Sequence, residues 1–141
     1  MDQKIKYKNK NLAEQASAFR SLYPDFGIYS DLSSLTVKGW VRPTARSIIY
    51  WFTLTYIISR RPKILITEPV LELNEKQRNL PHVFEGDNLC LYYSNNEFNG
   101  SKLLANTVVQ WITLWVYYYE IWCVDGEWLG GGIHPTNELD L

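Results

Sequence analysis

Four side chains in this sequence are the natural candidates for metal binding or thiol chemistry: His82, Cys90, Cys123 and His134. They are spaced 8, 33 and 11 residues apart and no Cys-x-x-Cys occurs, which matches no compact zinc arrangement. Gly130-Gly131-Gly132 follows a helical pattern and lacks a Lys-Ser/Thr after it, so it does not read as a phosphate-binding loop. No Gly-x-Ser-x-Gly elbow is present, and Glu68 and Glu72 read as solvated charge. No metal or cofactor is expected. Cysteine chemistry remains. Cys90 follows a Gly86-Asp87-Asn88 turn that could leave its sulfur near the surface as a nucleophile, or it simply packs, as buried cysteines often do. Cys123, between Trp122 and Val124, reads as inert core.

The elements that must position these residues follow from pattern. Leu12, Ala16, Phe19 and Tyr23 repeat at helical spacing, with Asn11 and Glu14 set for a capping box and Pro24 as the stop. Before it, Lys4, Lys6, Lys8 and Lys10 form a basic arm over residues 1–10, read as a solvated terminus rather than a binding patch. Residues 11–141 are expected to be a single domain. Three strands are expected at about 34–41, 46–59 and 63–67, joined by short proline-punctuated connections in an antiparallel meander. Residues 74–79 and 94–100 read as polar loops. Pro81 to Leu91 reads as extended chain with a turn at Glu85–Asn88. Leu104, Val108, Trp111, Trp115, Tyr118 and Trp122 then mark one long helix that covers the sheet and ends at Gly126.

Composition bounds the function. The chain has 141 residues, 46% of them apolar and 21 aromatic, which is a folded domain and not a disordered one. A net charge of −1 argues against a nucleic-acid partner, and stacking by Tyr50, Trp51 and Phe52 lacks basic interleaving. The apolar run Ile48–Ile58 is 11 residues long, and Leu103–Trp122 carries Asn106, Gln110 and Glu120, so no membrane partner is expected. No charged-then-apolar leader opens the chain, and two cysteines make no disulfide framework; a cytoplasmic protein with reduced thiols is the expectation.

The order of features resembles the ubiquitin-conjugating enzyme family. Pro62-Lys63-Ile64-Leu65-Ile66, an extended segment, His82, Gly86-x-x-Leu89-Cys90-Leu91 and a long helix run in that family's sequence over about residues 11–125. Leu89-Cys90-Leu91-Tyr92, the Trp-rich helix and Gly126-Glu127-Trp128-x-Gly130-Gly131-Gly132-x-His134-Pro135 resemble the compact bacterial members found in antiphage defence operons. The resemblance implies an α+β fold: an N-terminal helix, an antiparallel meander of about four strands, and a long C-terminal helix packed on the sheet. The family's His-Pro-Asn tripeptide is absent, and 51 residues follow Cys90 (141 − 90), too few for the late helices of larger members.

What the resemblance implies is a transferase. A ubiquitin-like protein, activated by an adenylating enzyme, would be carried as a thioester on Cys90 and passed to an amine of a target protein, with a defence nucleotidyltransferase among the possible acceptors. Thiolate is the reactive form of the sulfur. The tetrahedral oxyanion needs a hydrogen-bond donor, and His82 or Asn88 is expected to supply it. His82 also reads as a plain surface histidine, and His134 is a candidate should the tail fold back. The alternative is a non-catalytic protein-binding module with the same fold.

Overall fold

The structure, a computed structural model, describes residues 8–72, 80–91 and 98–130. Helix α1 spans Leu12–Leu22. The Glu14 N–H donates to the Asn11 side chain and the Glu14 carboxylate takes the Asn11 N–H, so the expected capping box is present. Four strands follow, β1 (Gly27–Ser30), β2 (Leu35–Val41), β3 (Tyr50–Tyr56) and β4 (Lys63–Glu68), in one antiparallel sheet of order β1-β2-β3-β4. Helix α2, Leu104–Asp125, closes the fold. None of the described helices is long and apolar enough to cross a membrane.

Strand alternation builds the core. Register aligns Val37, Leu54 and Ile64 in one inward row and sets Phe52 beside Ile66 and Leu35 beside Tyr56 in the next ones. All are nearly inaccessible, and the core they share with Phe19, Val108, Ile112 and Trp122 spans sheet and both helices. Removing each such side chain from water contributes roughly 1.5–3 kcal/mol.

The sheet has the four strands the resemblance implies, but the pattern placed only three of them: β1 is four residues long with no alternating burial, so it carries no period. β3 is shorter than 46–59. Arg42 donates to the Ser47 and Ala45 carbonyls, and Thr44 and Ser47 bond one another, which satisfies residues 44–47 as a turn instead of a ladder. At the far end Arg60 N–H turns back onto the Ile57 carbonyl. On α2 the expected Leu104, Val108, Trp115 and Trp122 are buried, together with Ala105, Val109, Ile112, Val116 and Tyr119, whereas Trp111 and Tyr118 are half-buried at the margins. Cys123 is exposed, not core, because it follows Trp122 by about 100° around the helix. The basic arm is also attached where it is described: Asn9 donates to Ser59 Oγ at 3.0 Å and Lys10 N–H to the Gly100 carbonyl at 2.7 Å. Lys4 and Lys6 lie outside the described residues, as do the loop at 74–79, residues 94–97, and Gly131, Gly132, His134 and Pro135.

Polar side chains fix α2 against the rest. Leu103 gives α2 no side-chain cap. Instead Gln15 of α1, fully buried, accepts from Leu104 N–H at 2.9 Å and donates to the Lys102 carbonyl at 2.9 Å. Further along, Glu120 receives Ser47 Oγ–H at 2.7 Å and the Tyr50 hydroxyl at 2.9 Å, and the Tyr119 hydroxyl accepts from Glu72 N–H at 2.7 Å. Gln15→Leu leaves the buried Leu104 N–H without its acceptor and removes the donor to the part-buried Lys102 carbonyl, and is expected to lower unfolding free energy by about 1–3 kcal/mol, read as a lower urea midpoint at unchanged slope.

Burial pushes the hydroxyls of Tyr50, Tyr56 and Tyr119 above the ordinary tyrosine range; the Glu120 carboxylate adds to the rise at Tyr50, and the Cys123 thiol to that at Tyr119. A raised folded-state pKa means the folded chain holds the proton more tightly than the unfolded chain. The resulting stability is complete below about pH 10 and is lost as pH rises beyond it. Alkaline titration should therefore show Tyr50, Tyr56 and Tyr119 ionising late and together with loss of tertiary structure.

Candidate active site

Residues 82–90 form a tight two-stranded turn. Val83 and Leu89 bridge antiparallel, Cys90 N–H donates to the His82 carbonyl at 2.9 Å, and Phe84 N–H donates to the Asn88 carbonyl at 2.7 Å. This register sets the His82 backbone directly opposite that of Cys90. Asn88 precedes Cys90 by two residues in extended chain, hence on the same side of the strand. The three residues singled out from sequence are thus brought onto one hairpin. The turn between them is a single 3-10 turn at Glu85–Asp87.

Two attachments hold the hairpin. Leu89 N–H donates to the Ile64 carbonyl at 2.9 Å, hooking the hairpin to β4 at the sheet's edge while the Leu89 side chain enters the core. The His82 carbonyl, besides the Cys90 N–H, takes the indole N–H of Trp115 at 2.9 Å from α2. His82 itself has φ 49° and Asp87 φ 60°. A non-glycine residue in that region carries strain of order 1–3 kcal/mol, and such strain clusters where geometry serves function. The His82 ring lies stacked on Trp128, with centroids 4.9 Å apart and planes 22° from parallel. Trp115 was read from sequence as core alone; nothing in a sequence signals a donor bond from an indole to a carbonyl 33 residues away.

Beside the hairpin lies a groove of about 380 Å³ bordered by Arg61, Pro62, Lys63, Phe84, Asn88 and Leu89. The Arg61 guanidinium sits over the Phe84 ring at 5.0 Å, so the rim carries positive charge on an aromatic floor. Cys90 keeps 7% of its surface and His82 9%. The expectation that the turn would carry the sulfur to the surface is therefore corrected: Cys90 closes the ladder against His82 instead of emerging from the turn. His82 is likewise a buried residue, not a plain surface histidine. Among the described residues no group of three or more His, Cys, Asp or Glu side chains could hold a metal ion. His134 lies outside the described residues.

The two thiols are thus ordered by exposure, Cys123 outside and Cys90 covered. Maleimide should label Cys123 first and Cys90 at least about tenfold more slowly, in line with the greater accessibility of an exposed thiol. Cys123→Ser should leave the slow phase alone; a slow phase that disappears with Cys123→Ser would contradict this order.

No curated protein matches the chain closely. The family described as Type II CBASS E2 protein matches it over residues 15–135, which takes in most of α1, the whole sheet, the Cys90 hairpin and α2. With that coverage and this architecture, the chain belongs to the Type II CBASS E2 protein family, an E2-like group of antiphage defence.

Proposed function

We propose that the chain is a thioester carrier: Cys90 accepts the activated C-terminal carbonyl of a ubiquitin-like protein and passes it to an amine of a target protein. The observation that carries this reading is the ladder register that sets His82 against Cys90 on a strained hairpin, with Asn88 on the same strand and a groove alongside. In the first step the Cys90 thiolate attacks the activated acyl carbon. A carbon–sulfur bond forms, and the bond to the activating group breaks with its electron pair on that group. In the second step the target amine attacks the thioester, an amide forms, the amine proton leaves to solvent or a base, and the Cys90 thiolate departs.

Both steps pass through a tetrahedral oxyanion. Asn88 offers an amide N–H and His82 a ring N–H from the hairpin, and the groove rimmed by Arg61 and Lys63 offers room for the extended chain leading to the acyl carbon. The activating partner is an adenylating enzyme, and a nucleotidyltransferase of the same defence system is a candidate acceptor. The matched family supports the conjugation-type role.

The second reading is a binding module that grips a partner without chemistry, and the low exposure of Cys90 favours it. One experiment separates the two. Tagged wild type, Cys90→Ala and Cys90→Lys are expressed in the native host with the donor and activating proteins present, purified without reductant, and weighed intact. A thiol-labile adduct on wild type, absent from Cys90→Ala and stable on Cys90→Lys, is the expected result; no adduct on any form establishes the binding module. On the carrier reading, losing the oxyanion donor slows discharge by about 10²–10³. Single-turnover discharge of His82→Ala and Asn88→Ala assigns that donor, and wild-type rates for both would remove the role from each.

A further inference from the structure

The chain does not leave the site after α2. Gly126, at φ 77°, ends the helix in the left-handed conformation that glycine adopts without penalty, and its N–H returns to the Trp122 carbonyl at 2.8 Å. The chain then carries Trp128 back over the hairpin. Its indole stacks on His82 at 4.9 Å and also touches Trp115 at 5.4 Å and Tyr118 at 6.0 Å. Gly130 secures this return: a Cβ there would stand 2.8 Å from Trp128 Nε1 and 2.8 Å from the Tyr118 ring, so any side chain displaces the indole. Trp115 therefore contributes twice, its N–H to the His82 carbonyl and its face to the ring that covers the imidazole.

We infer that Trp128 is a positioning residue for His82: by stacking on the imidazole it fixes that ring's orientation across from Cys90. A histidine backbone held at φ 49° is not kept there by its own preference; the carbonyl bonds hold its main chain, and the indole stack bears directly on the ring. The stack supplies that orientation. This inference rests on the carrier reading for its catalytic meaning, and on geometry alone for the coupling of Trp128, His82 and Cys90.

The test has two arms that need no conjugation partner. The chain has two histidines, so His82→Ala assigns the His82 ring protons by NMR. In wild type they should lie upfield through the indole ring current, move downfield in Trp128→Leu, and stay largely upfield in Trp128→Phe. Unmoved shifts in Trp128→Leu would overturn the stack. In the second arm, Cys90 alkylation by iodoacetamide is followed against pH in a Cys123→Ser background. Trp128→Leu should shift the pH profile toward that of His82→Ala, change the rate by up to about tenfold, and change nothing further when combined with His82→Ala. Trp128→Phe should restore the wild-type profile. An equal effect of Trp128→Leu with and without His82 would show that Trp128 merely packs and would overturn the inference. Should no thioester ever form on Cys90, the carrier reading fails while these two arms still decide the coupling.

Discussion

The site depends on a single acceptor. The carbonyl of His82 takes two donors, the Cys90 N–H from across the hairpin and the Trp115 indole N–H from α2. The first bond sets the ladder register and with it the placement of His82 across from Cys90. The second ties the hairpin to the helix that covers the sheet. Each is worth about 1 kcal/mol net, yet leaving either donor buried and unmet would cost more than the bond contributes. A buried Trp indole N–H in particular requires an acceptor. The location of Cys90 is therefore as well determined as the location of α2.

What determines α2 is a division of labour. Its apolar stripe supplies most of the burial, but apolar contact is non-directional and would tolerate sliding or rotation of a helix so rich in large side chains. Four polar attachments remove that freedom. Gln15 holds the first turn, the His82 carbonyl holds Trp115, Glu72 holds Tyr119, and Ser47 with Tyr50 holds Glu120. They reach α1, the hairpin, the segment after β4 and the turn before β3, so the helix is registered against four separate parts of the chain. Buried polar links of this kind contribute specificity of arrangement more than gross stability.

The same division explains what could be read from the sequence. The helix α1 was legible because its capping box is a local rule between Asn11 and Glu14. β2 and β4 were legible to within a residue or so because half-buried strands alternate. The pairing of His82 with Cys90 was partly legible, since a short turn between two extended pieces must bring its ends together. On α2 the expected Leu104, Val108, Trp115 and Trp122 are buried, but Trp111 and Tyr118 give way to Ile112, Val116 and Tyr119, because almost every position is apolar and packing alone chooses between them. Cys123 was assigned to the core for the same reason. β1 pairs with β2 across a short turn but is too brief to show a period, and the true ends of β3 depend on Arg42 and Ser47 satisfying a turn, which leaves no periodic trace. The bond from Trp115 to the hairpin leaves none either.

The covering of Cys90 has a physical consequence for any chemistry it performs. A thiol with 7% exposure cannot meet a macromolecular acyl donor unless its surroundings yield, and the surroundings divide sharply in how readily they could. Leu89 is rooted in the core and bonded to Ile64, and Trp115 belongs to α2, so opening on that side would disturb the whole fold. The hairpin's turn and the returning chain are far less enclosed: Gly86 and Asp87 are exposed, and Asn88 and Trp128 half-buried. Segments with few buried contacts open at far lower free energy than the core. An opening at the hairpin turn therefore costs less than one that moves Leu89 or Trp115, and it lies beside the groove.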